Sequence, residues 1–162
     1  MKLSSVLIMA LAAVYVSASA FAQNQLDGAP FDPAKEPNPD MYMANWRDSM
    51  PVNTHGSLIE RAVLTRCDDD PMKPPRKGAV LKYVNRFSYA TLDGGSSTTT
   101  VTLKNEQELF FFVAGTGKMT AGSRTVDLRE GIFVMVPPGL PFTMTNTGRE
   151  PLAMYLVVEP TP

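Results

Sequence analysis

The stretch from Glu108 to Asn146, ELFFFVAGTGKMTAGSRTVDLREGIFVMVPPGLPFTMTN, decides the fold of this chain. Short apolar and β-branched runs alternate in it with glycine-containing pairs, and glycine supplies the positive φ angles that tight hairpins need. The run that ends at Pro137 ends there because proline cannot donate to a strand ladder. The stretch therefore predicts consecutive antiparallel strands.

The same alternation extends outward in both directions, from Ser57 to the end of the chain, and no helical period of any length accompanies it. The 14 prolines and 11 glycines agree with many turns. We predict an all-β sandwich or barrel of nine strands. These strands cover residues 58–65, 79–92, 98–103, 109–113, 117–121, 124–128, 132–136, 142–146 and 152–158.

The N-terminal part of the chain differs from this pattern. Lys2, a short apolar run and the sequence Ala20-Phe21-Ala22 predict a signal peptide over residues 1–22, because the run is shorter than a membrane-spanning helix needs. Residues 23–56 predict an irregular, proline-rich arm in which Trp46 anchors an apolar cluster on the barrel or on a neighbouring subunit. Residues 57–162 are then a single barrel domain, which we expect to be exported to the periplasm or secreted.

Charge and cysteine content restrict the partners. The formal net charge is −1, and the basic residues are interleaved with apolar or acidic ones, so no nucleic acid partner is expected. No membrane partner is expected after signal cleavage. Cys67 is the only cysteine, which leaves no intramolecular disulfide, and packing must supply the stability of the domain.

The spacing of several residues in the opening stretch resembles the two sequence motifs of the cupin superfamily. The first motif, a glutamate and then a glycine after six intervening residues, is matched by Glu108 and Gly115. The second is matched by Gly131, Pro137, Gly139 and Asn146. The resemblance implies a single-domain, cupin-type jelly-roll β-barrel.

The resemblance also implies a metal site, from which this sequence departs. Typical cupins hold a divalent metal with His-x-His, the motif glutamate and a later histidine. Here Thr102 and Lys104 occupy the first two positions, or Val101 and Leu103 if the spacing is one residue longer, and Phe142 replaces the later histidine. One carboxylate and a hydroxyl do not form a donor set for zinc or iron. We therefore expect no metal and no cofactor.

Strand alternation predicts a different cavity. Glu108, Phe110 and Phe112 fall on one strand face, and with Phe142 they predict an aromatic chamber around one carboxylate. The leading hypothesis is a metal-independent cupin that binds a small organic ligand, either a carbohydrate or a hydroxy acid. The predicted ligand-binding residues are Thr102, Lys104, Glu108, Phe110, Phe112, Phe142 and Met144.

Three residues are candidates for catalysis. Glu108, in apolar surroundings, is a potential general acid or base, and Lys104 either orients an anionic or carbonyl substrate or forms an ion pair with Glu108 at the barrel mouth. His55, the sole histidine, is expected in a surface turn and reaches a site only if the arm folds over the barrel mouth.

These candidates leave alternative functions open. One is a lyase or isomerase that uses Glu108 with Lys104 or His55; another is a metalloenzyme with non-standard ligands. A third is an interaction protein whose barrel is filled by its aromatic side chains. Because cupins often dimerise by packing barrel faces or exchanging N-terminal strands, the resemblance also implies a homodimer.

Overall fold

The computed structural model describes residues 43–69 and 78–162. The signal peptide and most of the arm predicted from the sequence lie outside these residues. One 3₁₀ turn, Trp46–Asp48, precedes ten strands. The strands are β1 (Val52–Thr54), β2 (Leu58–Arg66), β3 (Ala79–Leu81), β4 (Arg86–Leu92), β5 (Glu106–Ala114), β6 (Thr116–Ala121), β7 (Arg124–Arg129), β8 (Phe133–Val136), β9 (Phe142–Asn146) and β10 (Leu152–Pro160). The predicted all-β fold is confirmed, and the described part of the chain contains no helix long and apolar enough to span a membrane.

The strands form two sheets. The larger sheet has the order β1-β2-β4-β10-β5-β8, with β3 parallel to β2, and the smaller has the order β7-β6-β9. Two isolated bridges, Ser97 to Thr145 and Val101 to Phe142, connect β9 to the segment that follows β4. The arrangement is that of a jelly-roll barrel, in which residues from both sheets share one core.

The core follows from strand alternation. On β5, Phe110 and Phe112 face inward and are fully buried, and Phe110 meets Phe142 of the smaller sheet edge to face, with ring centroids 5.9 Å apart. Met119, Met144 and other apolar side chains fill the remaining space. Such aromatic pairs stabilise the fold by roughly 0.5–1.5 kcal/mol beyond the effect of the area they bury. The buried side chains of both sheets therefore fill the interior of the barrel.

Three strand predictions need correction. The run 79–92 is two strands, because β3 is parallel to β2 while β4 is antiparallel to it, so the chain must reverse between Leu81 and Arg86. Residues 98–103 form no strand; they contact β9 at the isolated bridge of Val101 with Phe142 and through hydrogen bonds of Thr98 with Met144. The segment predicted to be irregular up to residue 56 contains β1, which forms a hairpin with β2.

The described end of the arm packs against the barrel, as predicted for Trp46. The indole stacks on Tyr89 of β4 with ring centroids 4.3 Å apart, and the guanidinium of Arg47 lies 4.3 Å from the indole centroid. Arg61 of β2 donates to the carbonyl oxygen of Ser49 at 2.6 Å. The chain before β1 is thus fixed to the outer face of the larger sheet.

Candidate functional site

A row of charged side chains crosses the inner face of the larger sheet at one end of the barrel. Val158 of β10 pairs with Arg86 of β4 on one side and with Glu108 of β5 on the other, so these residues form one line across three strands. Glu60 of β2 also lies inside, fully buried. Because alternation places the aromatic residues further along the same faces, the interior changes from apolar to ionic towards this end.

Arg86 joins the two inner carboxylates. Its Nε donates to Oε1 of Glu60 at 2.7 Å, and its Nη2 lies 3.9 Å from Oε1 of Glu108. The hydroxyl of Ser88 donates to the same oxygen of Glu60 at 2.7 Å. Burial by itself lowers the pKa of Arg86, but the carboxylates of Glu60, Glu108 and Glu106 outweigh it and hold the pKa above its ordinary value. The guanidinium is therefore a permanent cation in this site.

His55 reaches the same cluster from the turn between β1 and β2. It is the only residue other than glycine with a positive φ in the described part of the chain, at 51°. Thr99 holds the turn, because its backbone N–H and its hydroxyl both donate to the carbonyl oxygen of His55, at 2.8 and 3.2 Å. A Cβ on Gly56 would lie 2.6 Å from Cγ2 of Thr99, so the turn requires glycine there.

The imidazole of His55 contacts Glu108 directly. Its Nε2 lies 3.0 Å from Oε2 of Glu108, and the two side chains are only 6% and 1% exposed. The Nδ1 atom of His55 is buried and has no hydrogen-bond partner among the described residues. The turn itself was predicted, but the expectation that His55 is a surface residue is wrong, because the backbone at φ 51° directs the ring into the barrel mouth.

The cluster borders a pocket of about 520 Å³. One wall is the segment between β4 and β5, and the other is formed by the charged row and the turn of His55. The lining residues are His55, Asn85, Arg86, Val101, Thr102, Leu103, Lys104, Asn105, Glu106 and Glu108. The pocket opens at the end of the barrel, where Lys104 and Asn105 are exposed.

The structure separates the predicted site residues into two groups. Thr102, Lys104 and Glu108 line the pocket. Phe110, Phe112, Phe142 and Met144 are core residues instead. The predicted aromatic chamber is therefore replaced by a polar pocket beside a filled core, because Phe142 packs against Phe110 rather than standing apart from it.

The expected ion pair between Lys104 and Glu108 is also not formed within the described residues. The Lys104 side chain is exposed, whereas Glu108 is engaged by His55 and lies near Arg86. The sequence suggested Lys104 and His55 as partners of Glu108, and in the structure the partner is His55. The positively charged side chain that lies beside Glu108 is Arg86 and not Lys104.

Sequence reasoning missed Glu60 and Arg86. A signal for both was present: Glu60 has the same parity as buried Leu58 on β2, and Arg86 has the same parity as Ser88 and Ala90 on β4. A charged residue at an inward position of a strand is rarely buried unless it is paired. Searching the predicted strands for such positions would have identified both residues.

The residues present do not fit a divalent metal. The described residues contain no group of three or more His, Cys, Asp or Glu side chains that could hold one. Oε2 of Glu108 is occupied by His55, and the fully buried Phe142 replaces one expected ligand. The guanidinium of Arg86, beside Glu108 and Glu60, already supplies positive charge to these carboxylates.

The fold and the position of Glu108 define the class of protein. The family model described as "Cupin domain" matches residues 88–158, which include most of β4, all of β5 to β9 and most of β10. Residues 88–158 are therefore a cupin domain. No curated protein matches the sequence significantly.

Solved structures agree with this assignment at the level of the fold. A predicted oxalate decarboxylase from Thermotoga maritima superimposes with a TM-score of 0.59 at 17% identity, over 74% of this chain and 99% of that chain. KdgF from Halomonas sp. gives a TM-score of 0.55 at 9% identity, over 73% and 94%. The Cnp3 cupin domain of Schizosaccharomyces pombe gives 0.52 at 15%, over 67% and 69%. At these identities the likeness shows the fold alone.

Proposed function

We propose that the protein binds a small organic ligand, a carbohydrate or a hydroxy acid, in the pocket at the barrel mouth. The observation that carries the proposal is a buried imidazole–carboxylate pair, His55 and Glu108, bordering a pocket of about 520 Å³. Ligand pockets typically measure about 300–1,000 Å³. Buried charges are expensive unless paired, and the aromatic core closes the barrel without them, so packing alone does not account for this cluster.

The pocket offers hydrogen-bonding groups of both kinds. Arg86 and Lys104 donate, Glu106 accepts, and the amides of Asn85 and Asn105 do both. Val101 and Leu103 supply an apolar wall from the other side. A few polar groups beside apolar surface suit a molecule that presents hydroxyl or carboxyl groups on a carbon skeleton.

A calorimetric screen tests the proposal. Monosaccharides, sugar acids and short hydroxy acids would be titrated into the protein, followed by Lys104→Ala and Asn105→Ala variants with the strongest binder. Both residues are exposed at the rim, so their loss should weaken binding by roughly tenfold, or about 1.4 kcal/mol, without lowering Tm. Lys118→Ala, an exposed change on β6 away from the pocket, is the matched control. If no compound of these classes binds, or if the rim variants bind as the control does, the proposal fails.

A second candidate function is acid–base catalysis of the lyase or isomerase type. The 3.0 Å contact between Nε2 of His55 and Oε2 of Glu108 favours it, because a carboxylate oriented by an imidazole is an arrangement suited to proton transfer. Glu108 would take a proton from a carbon next to a carbonyl group, and the electron pair of that C–H bond would form a C=C bond. Arg86 would stabilise the negative charge on the carbonyl oxygen.

The proton then has two destinations. In an isomerisation of an α-hydroxy carbonyl compound, Glu108 returns the proton to the former carbonyl carbon while the hydroxyl proton moves to the former carbonyl oxygen, so the C=O and CHOH groups exchange places. In an elimination, the carbonyl re-forms, a C=C bond forms to the next carbon as the C–O bond on that carbon breaks, and the oxygen leaves as water with the proton from Glu108. Nuclear magnetic resonance of the bound ligand in D₂O distinguishes these cases from simple binding. Glu108→Gln should lower the rate by roughly 10²-fold or more while the ligand still binds. An unchanged ligand without deuterium incorporation contradicts this candidate.

We further propose that the protein is exported, because residues 1–22 have the composition of a signal peptide. Expression of the full chain in a bacterial host with its own secretion machinery, followed by mass spectrometry of the periplasmic fraction, tests this. The expected mature N-terminus is Gln23. Full-length protein retained in the cytoplasm would contradict it.

A further inference from the structure

We infer that the ligand of this pocket is neutral and polyhydroxylated rather than a carboxylate, an inference that rests on the proposed function. The charges around the pocket distinguish the two classes. Arg86 and Lys104 are positive, and Glu106 and Glu108 are negative. Glu60, bonded to Arg86 from behind the pocket, adds a third carboxylate. With a neutral His55 the cluster has a formal charge of −1; with a protonated His55 it has none. In neither state is there a net positive charge to attract an anion.

Arg86, the more buried of the two cations that line the pocket, is already neutralised. Arg86 gives its Nε to Glu60 at 2.7 Å and holds Nη2 at 3.9 Å from Glu108. A ligand carboxylate that reached this guanidinium would approach both protein carboxylates as well, and their repulsion opposes the single attraction. Lys104, the other cation, is exposed, so solvent and salt screen its charge.

The unused hydrogen-bonding groups favour hydroxyls. Nη1 and Nη2 of Arg86 make no hydrogen bond to any described residue, although the side chain is 19% exposed and lines the pocket. Among the described residues, Glu106 accepts only a long bond of 3.4 Å from Asn85, at Oε2. Within the described part of the chain, unbonded donors of Arg86 therefore line the same pocket as an unbonded acceptor, Oε1 of Glu106. A hydroxyl group donates and accepts, whereas an ionised carboxylate only accepts and would leave Oε1 of Glu106 without a donor.

Matched sugar pairs test the inference. Glucose and glucuronate, galactose and galacturonate, and mannose and mannuronate differ only in whether carbon 6 is a hydroxymethyl group or a carboxylate. Calorimetric titrations would be performed at low and at high salt. We expect the neutral sugar of the tightest-binding pair to bind at least tenfold more tightly than its uronate, a difference of about 1.4 kcal/mol in binding free energy. This difference in affinity should become smaller at high salt, because salt screens the repulsion between the uronate and the pocket carboxylates.

Two variants make the experiment specific to the pocket charge. Glu106→Gln raises the charge by one and keeps the shape and an acceptor oxygen, so it should tighten uronate binding several-fold, whereas the neutral sugar, which loses the carboxylate as its acceptor, should not bind more tightly. Asp127→Asn removes an exposed carboxylate on β7, outside the pocket, and should change neither.

The possible outcomes distinguish failure of the neutral-ligand inference from failure of the ligand-binding proposal on which it rests. Tighter binding of the uronates, or binding only of acyclic hydroxy acids from the wider screen, overturns the neutral-ligand inference and leaves ligand binding intact. An equal effect of Glu106→Gln and Asp127→Asn on uronate affinity also overturns it. Failure of every compound to bind overturns both.

Discussion

Replacement of Arg86 by methionine should destabilise the domain substantially, because it leaves a buried carboxylate without its cation. Glu60 is fully buried, and its Oε1 would keep only the hydroxyl of Ser88. Even in the intact protein, its Oε2 has no hydrogen-bond partner within the part of the chain that the structure describes. Removing one partner of a buried pair typically costs about 3–5 kcal/mol. Since Arg86 is 19% exposed and solvent screens it in part, we expect a loss near the lower end, about 3 kcal/mol.

If the unpaired carboxylate of Glu60 causes the loss of stability, removing that carboxylate as well should restore it. In the double variant Glu60→Met/Arg86→Met the uncompensated carboxylate is gone, so most of the loss should be recovered, as apolar replacements of buried ion pairs often are. Urea unfolding followed by circular dichroism and by Trp46 fluorescence would measure the four free energies of unfolding of this cycle. Lys104→Met is the matched control, since the exposed Lys104 forms no salt bridge within the described residues, and it should change stability by less than roughly 0.5 kcal/mol.

The pH dependence of stability follows from the direction in which the pKa of Arg86 is shifted. The pKa of Arg86 is higher in the folded protein than in the unfolded chain. The contribution of Arg86 to the free energy of unfolding is therefore complete at any pH below its unfolded pKa, and it is lost only as the pH rises through its folded pKa. The stability advantage of the native protein over Arg86→Met should therefore persist through mildly alkaline conditions. A cost for Arg86→Met below about 1 kcal/mol, or a double variant as unstable as the sum of its single variants, would refute the buried-pair account.

Three further results are expected. Gly56→Ala should cost roughly 1–3 kcal/mol more than Gly95→Ala, because both glycines have positive φ but only a Cβ at position 56 meets Thr99; equal costs by urea unfolding would contradict the packing of the turn. Elemental analysis of protein purified without a His tag should find far less than stoichiometric metal, before and after dialysis against Fe, Mn, Ni, Cu and Zn. Light scattering after size exclusion should show a homodimer, since Phe133 and Met135 expose 71% and 54% of their surface on β8 at the edge of the larger sheet; a stable monomer would refute this.

The barrel could be predicted from the sequence because its signals are local. Alternation assigned Glu108, Phe110 and Phe112 to one face of β5, and the turn glycines separated most strands correctly. Whether a cavity lay between the faces was not a local property. It depended on how far Phe142 of the other sheet reached across the interior, and the ring fills the space that the sequence assigned to a ligand.

The position of His55 depends on contacts between distant parts of the chain. β1 has only three residues, too few for a period to be recognised, and its turn is fixed by Thr99, which lies 44 residues further along the chain. Glu60 and Arg86 lay inside the predicted runs 58–65 and 79–92, and their parity marked both as inward positions. That the two side chains pair with each other depends on the register of β2 against β4, which shifts between Ala62 and Leu64. The arrangement of the barrel mouth therefore could not be predicted from local patterns, although these two residues could have been.

A filled interior was the condition under which the sequence favoured a purely structural or interaction protein, and the core is filled. The barrel mouth weighs against that conclusion. His55 keeps a left-handed backbone, which costs roughly 1–2 kcal/mol for a residue other than glycine, and the turn is held there by Thr99. Strained residues beside buried polar groups occur most often at functional sites. Since Lys104 and Asn105 are exposed at the rim, a ligand would reach the His55–Glu108 pair from solvent without any opening of the aromatic core.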